Sequence, residues 1–182
     1  MTTTITSNEA LLDFIARGQR VKYVFFWGHT PPKTGVNQSC FSQWYPARFD
    51  EHGCSFATAE HYMMYHKAKL FGDDAIGAKV LLAKTPGEAK KLGRLVEGFD
   101  NDVWEANRFE IVVKANELKF AQNPELKDFL LGTGKRVLVE ASPVDKIWGI
   151  GLAADHEHCE QPKRWRGLNL LGYALMVVRD RL

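Results

Sequence analysis

Two charged residues occupy helical positions that usually carry apolar ones. In Ala59-Glu60-His61-Tyr62-Met63-Met64-Tyr65-His66-Lys67-Ala68-Lys69-Leu70-Phe71, the helical repeat places Glu60, Met63, Met64, Lys67 and Phe71 on one face. That face is otherwise apolar and is expected to point inward. Burying a carboxylate and an ammonium is costly unless the two are paired or put to use. They lie two turns apart, roughly 10 Å along the axis. Long helical side chains lean toward the N-terminus, so Lys67 leans toward Glu60. Two readings follow: a partly buried salt bridge with snorkelling stems, or an acid/base and an amine between which a small substrate lies.

Other residues invite the same question. Asp145-Lys146-Ile147-Trp148-Gly149-Ile150-Gly151 sets a flat indole beside glycines that permit close backbone approach. Trp148 suits stacking on a nucleobase, and Asp145 suits a sugar hydroxyl or acid–base work. Equally, Trp148 is a core ring, Asp145 a turn residue and Gly149 turn hardware. Trp104 and Arg108 lie one turn apart on a later helix, where a ring and a forked cation match a base and a phosphate. The alternative is a core Trp and an Arg paired to a surface acid. Arg94, behind Gly93, is another candidate for a phosphate. Lys163-Arg164-Trp165-Arg166 is either a solvated basic patch or a contact for phosphate.

Several chemistries are disfavoured. His156-x-His158-Cys159, beside Cys40 and Cys54, is too crowded for ordinary zinc spacing and lacks a C-x-x-C pair, so no metal site is expected. Gly149-x-Gly151 lacks the third glycine of a dinucleotide loop, and neither a phosphate-binding P-loop nor a Gly-x-Ser-x-Gly elbow is present. The net charge of +2 does not mark a nucleic-acid-binding protein. Three cysteines cannot all pair within one chain, which fits a reducing cytoplasm. Neither a signal peptide nor an apolar run of membrane-spanning length is seen.

The elements that must position these residues are legible in outline. A short helix is expected over residues 8–17 and a buried strand over Val21–Trp27. A turn-rich loop then covers Gly28–Ser39. Phe41–Phe49 and Cys54–Ala57 flank a hairpin turn at residues 50–53. Thr58 caps the Glu60 helix. Thr85-Pro86-Gly87-Glu88 is a capping-box start for a helix running to about Val96. A longer helix begins near Asn101, with Trp104, Arg108, Ile111, Val112, Ala115 and Leu118 on one side. Asn123-Pro124 opens another, which ends near Gly132-Thr133-Gly134. Arg136–Glu140 reads as a strand. Asn169 opens the last helix, with Leu171, Ala174, Leu175, Val178 and Leu182 toward the core. The 182 residues suffice for a compact, mostly helical α+β domain with a small sheet.

These motifs, in order, resemble the NADAR (YbiA-like) family across residues 23–182. The blocks are Phe25-Phe26-Trp27; Cys40-Phe41-Ser42-Gln43-Trp44-Tyr45-Pro46; Ala59-Glu60-His61-Tyr62-Met63-Met64 with Lys67; Leu92-Gly93-Arg94; Trp104; Lys119-Phe120; Leu138-Val139-Glu140; Asp145–Gly151; and Gly167-Leu168-Asn169-Leu170-Leu171-Gly172. The resemblance implies a family domain over residues 21–182, preceded by an N-terminal extension over 1–20. It also implies an N-glycosidase, a hydrolase of N-glycosyl bonds, that works without a cofactor.

Two substrate classes are known in the family: early riboflavin-pathway ribosylamino-pyrimidine phosphates, removed as damaged metabolites, and ADP-ribosylated guanine in DNA. A module that binds NAD or ADP-ribose without catalysis is the alternative of another class. By resemblance Glu60, Lys67 and Asp145 are catalytic. Trp104 and Trp148 are the pocket tryptophans by the same resemblance, and Arg94, Arg108, Gly149 and Asn169 are further candidates for contact with the substrate. Segments 28–39 and 152–166 are longer than in short family members and are expected to border the pocket. Oligomeric state is open.

Overall fold

The computed structural model describes residues 5–182. It has the α+β, mostly helical character expected of the sequence. The chain forms two compact units, one from the two ends (residues through Ser42 and Glu125–Leu182) and one from Gln43–Pro124.

The unit built from the chain ends contains a two-stranded parallel sheet. β1 (Tyr23–Phe26) pairs with β4 (Val137–Glu140), from Tyr23 opposite Val137 to Phe26 opposite Glu140. α1 (Asn8–Ala16), a 3-10 turn at Gln38–Phe41, α6 (Pro124–Leu131), a 3-10 turn at Pro162–Arg164 and α7 (Leu170–Arg181) complete the element list. Leu130, Leu138, Val139, Ile150, Leu171 and Tyr173 are fully buried here. Phe41 lies edge-on to Phe26 and against Phe129, both at 5.5 Å between ring centres.

The first helix is tied into this unit. Leu11 is fully buried, the Asn8 amide donates to the Gly167 carbonyl, and the Tyr173 hydroxyl donates to Asn8. α7 presses on β4 because Gly172 has no side chain: a Cβ there would lie 2.1 Å from the Leu138 carbonyl oxygen.

The second unit holds the hairpin β2 (Phe49–Glu51) and β3 (Cys54–Phe56), then α2 (Ala59–Leu70), α3 (Asp74–Leu82), α4 (Pro86–Gly93) and α5 (Asn101–Gln122). His52 and Gly53, both at positive φ, make the tight turn that suits the strands' twist. Phe49, Phe56, Ala59, Tyr62 and Ala115 form the core, with Tyr65, Leu81, Ile111 and Leu118 packed around them.

α2 is central and touches α3, α4, α5 and β3. Glu60, Met63 and Met64 are buried, but so are His61, Tyr62 and Ala68. The single inward stripe expected of the sequence is therefore an almost complete sheath in the first two turns.

The reading of the sequence needs correcting at several points, the first being that β1 covers only Tyr23–Phe26 of the expected Val21–Trp27, is mostly half-buried, and leaves Trp27 exposed. Phe41–Phe49 is not a strand: Phe41 ends a 3-10 turn and only Phe49 enters a ladder. α3 was not foreseen, although its start is well marked. Gly72 at positive φ ends α2, and the Asp73 carboxylate caps α3 by accepting from the Ile76 N–H. α4 stops at Gly93 rather than Val96. Its capping box forms with a variation, because Glu88 reaches back to the Lys84 N–H while Thr85 takes the Glu88 N–H.

Gly172→Ala is expected to destabilise the protein by about 3 kcal/mol, since a backbone carbonyl cannot move aside. Chemical denaturation would show it as a lowered midpoint. An unchanged midpoint would mean that the helix shifts freely on the strand.

Candidate functional site

Glu60 stands in the first turn of α2. Thr58 caps that turn by accepting from the His61 N–H. The Glu60 N–H lies beyond the reach of helical bonding and is taken by the Gln43 carbonyl at 2.9 Å. Gln43 is itself buried, and its side-chain oxygen accepts from Asn116 of α5 at 2.8 Å. His61 holds the other side: Nδ1 lies 2.8 Å from the Thr58 hydroxyl and Nε2 3.1 Å from the Ala83 carbonyl. Burial lowers the pKa of this imidazole, partly offset by the Ala83 bond and by Glu88. The catalytic candidate thus sits on a backbone fixed from three directions.

Lys67, two turns on, is half-buried. Its Nζ lies 4.4 Å from the Phe99 ring centre and 5.6 Å from that of Trp104. It has no carboxylate within ion-pair distance among the described residues. Burial lowers its pKa below the ordinary lysine value, the Arg94 guanidinium lowers it further, and the Glu60 carboxylate pulls the other way. The salt-bridge reading of the sequence is therefore replaced by an amine held on ring faces, in electrostatic reach of both Glu60 and Arg94. Such an amine sheds its proton more readily than a surface lysine and is the better nucleophile for it.

The turn between α4 and α5 brings these neighbours together. Asp73 clamps it: one carboxylate oxygen caps α3, and the other accepts from the Glu97 N–H at 3.0 Å. These two backbone bonds, Glu97 first, hold the Asp73 carboxyl below its usual range. Phe99, two residues on, packs at a tilt against Phe71, the residue that ends α2, with 5.4 Å between ring centres. Gly93 lets α4 lie on α2, because a Cβ there would collide with Met64 Sδ at 2.0 Å. Arg94 follows directly and is exposed. Trp104 is half-buried on α5. Arg108 is 8 % exposed, and its guanidinium is 3.5 Å from Glu105 on the preceding turn; this is the surface-acid pairing weighed above. Phe99 was not among the residues singled out in the sequence. Its signal is faint: an aromatic between Gly98 and a helix-capping aspartate.

The remaining candidates lie in the unit formed by the chain ends. The Asp145 carboxylate accepts from the N–H groups of Ile147 and Trp148, both at 2.8 Å, closing the turn that presents the indole. Main-chain bonds then fasten this loop to residues 166–171: Arg166 to Ile150, Leu168 to Lys146, Asn169 to Gly149, Leu170 to Ile147 and Leu171 to Trp148. Gly149 permits a close approach to the Glu140 and Asp145 carbonyls, 2.9 and 3.0 Å from where a Cβ would be. The approach it allows is thus of chain to chain.

Asn169 is fully buried at positive φ. Its side chain accepts from the Glu140 N–H and donates to the Leu138 carbonyl, both at 2.9 Å. Both bonds go to β4, while its main-chain carbonyl accepts from the Tyr173 N–H in the first turn of α7. Of the crowded metal candidates, the His156 ring accepts from the His158 N–H, and the Cys159 carbonyl accepts from Trp165. No group of three or more metal-ligating side chains is assembled among the described residues. No described helix is long and apolar enough to cross a membrane.

The chain is similar to several known proteins. N-glycosidase R617 of Acanthamoeba polyphaga mimivirus is 46% identical over 164 residues, spanning 87% of this chain and 95% of that one. N-glycosidase YbiA of Escherichia coli is 31% identical over 144 residues, 79% of each chain. The NMR structure of E. coli YbiA superposes with a TM-score of 0.69 at 26% identity, covering 90% of this chain and 86% of that one. The chloroplastic riboflavin biosynthesis protein PYRR of Zea mays is 37% identical over 144 residues, 73% of this chain but 21% of the maize protein.

The class is that of the N-glycosidases, hydrolases acting on N-glycosyl bonds. Residues 25–182 match the NADAR domain, and the chain belongs to that family.

Removing the Arg94 charge is expected to raise the Lys67 pKa toward the ordinary 10.5, and Glu60→Gln to lower it further. Carbon NMR titration of the reductively methylated protein reads both shifts. If Arg94→Ala left the titration unmoved, burial alone would set it.

Proposed function

We propose that the chain hydrolyses the C–N bond joining ribose to the amine of ribosylamino-pyrimidine phosphates, the reactive early intermediates of riboflavin synthesis. The observation that carries the reading is the Lys67 amine, lowered in pKa, between Phe99 and Trp104 and beside Arg94. The names of the bacterial and viral relatives support the bond class, and the maize riboflavin protein supports the pathway.

A ribosylamine differs from a nucleoside in that its ring opens to an imine. The neutral Lys67 amine then adds to C1, the pyrimidine amine leaves with a proton, and the sugar remains as a Schiff base on Nζ. Water adds to that imine and the Lys67 amine departs, so ribose phosphate is released and no oxidant or reductant is consumed. Glu60 moves the protons: it donates to the leaving amine and takes one from the attacking water. Trp104 carries the base and Arg94 the phosphate. Arg108, already paired to Glu105, contributes its remaining guanidinium donors.

Release of base and sugar should be followed separately from the pyrimidine intermediate and from DNA carrying ADP-ribosylated guanine, with Glu60→Gln as control. Release from the pyrimidine, reduced at least about a hundredfold in the variant, is expected. Release from DNA alone would move the assignment to the other family substrate. Binding of ADP-ribose without release from either would make the domain a sensor.

Borohydride added during turnover is expected to leave the sugar covalently on Lys67, seen by peptide mass spectrometry. Normal turnover with no adduct would leave direct attack of water as the mechanism.

A further inference from the structure

A cleft in the unit formed by the chain ends belongs to none of the groups above. It has a volume of about 650 Å³, within the range of small-molecule sites. β1 and β4 run parallel, and the Asp145–Gly151 loop follows the Glu140 end of β4. The cleft lies at the other end, where β1 begins. Leu12 and Ile15 of α1 form an aliphatic wall with Val21, Tyr23 supplies a ring, and Arg20, Lys163 and Arg164 add three cations.

The cations are unspent. Among the described residues none of the three has a carboxylate within ion-pair distance. Grouping like charges without partners is unfavourable unless an anion joins them. The ring is held in place beforehand. Tyr23 stacks on Phe25 at 5.8 Å and takes the edge of Trp165 at 6.2 Å. That indole is fixed in turn by its N–H bond to the Cys159 carbonyl at 2.7 Å. The Tyr23 hydroxyl has no hydrogen-bond partner among the described residues. Burial and the nearby Glu160 push its pKa up to about 12, so at neutral pH it is a donor. Glu160, also in the lining, adds an acceptor.

We propose that this cleft is a second ligand site that takes a nucleotide. The base lies between the aliphatic wall and the Tyr23 ring, and the phosphate rests on Arg20, Lys163 and Arg164. Glu160 beside the Tyr23 hydroxyl offers an acceptor and a donor to the base edge, which favours a base with an amino group. A bare phosphate leaves the apolar wall unused, and a nucleoside leaves the cations unused. The site stands independently of the reaction proposed above.

AMP titrated into the isotope-labelled intact protein is expected to shift the amides of Val21, Tyr23, Lys163 and Arg164. Adenosine and inorganic phosphate, tested singly, are each expected to bind at least about tenfold more weakly. The double variant Lys163→Glu, Arg164→Glu is expected to weaken AMP by about tenfold or more. Its melting temperature should stay unchanged, because both side chains are exposed. No shift at millimolar AMP, shifts confined to residues around Lys67, or undiminished binding in the double variant would each overturn the proposal.

Discussion

A lysine amine that loses part of its water needs either a carboxylate to hold its charge or ring faces that tolerate it. Lys67 has the rings, and the design of the Gln43–Pro124 unit follows from that choice. Phe99 must come from a turn and Trp104 from a helix, so the turn cannot be loose. Asp73 removes the slack by serving the start of α3 and the turn at Glu97 with one carboxylate. Gly93 sets how near α4 lies to α2, and so how near Arg94 comes to the amine. Met64, which fills the space beside Gly93, stands on the same helix as Lys67. The surroundings that lower the pKa of the amine are assembled by packing contacts rather than by an ion pair.

The carboxylate-bearing turn is held differently. Glu60 occupies a helix start, where the free N–H groups of the first turn are consumed by Gln43 and Thr58. Gln43 in turn leans on Asn116. Polar contacts of this kind are directional and fix an orientation closely, whereas the ring contacts around Lys67 leave the amine some latitude in approach. One helix therefore carries a carboxylate on a closely fixed first turn and, two turns later, an amine held only by ring faces.

Much of this was legible in the chain. Charges on an apolar stripe singled out Glu60 and Lys67, Thr58 and Thr85 announced their helices, and His52-Gly53 its turn. What stayed hidden has physical causes. The 42–48 segment is rich in rings and buried at alternate positions, which mimics a strand, yet it makes no ladder. α3 spans only Asp74–Leu82 and carries Gly77 in its interior, so its periodic signal is thin. The β1–β4 pairing joins segments more than a hundred residues apart, and nothing local encodes it. Phe99 is defined by what it touches rather than by its neighbours in sequence. Nothing in the chain separates a substrate-contacting Asn169 from a structural one. The structure commits its side chain to β4.

The loop from Asp145 to Gly151 is sewn to residues 166–171 almost wholly through main-chain atoms. Such stitches are indifferent to which side chain hangs from each residue. Lys146, Ile147 and Leu168 face solvent, so they are free to drift in the course of evolution while the frame beneath them stays put. The fold thereby separates inheritance into two ledgers: glycines and an asparagine that cannot change without unpicking the seam, and a fringe of exposed positions through which descendants can acquire new tastes at little structural cost.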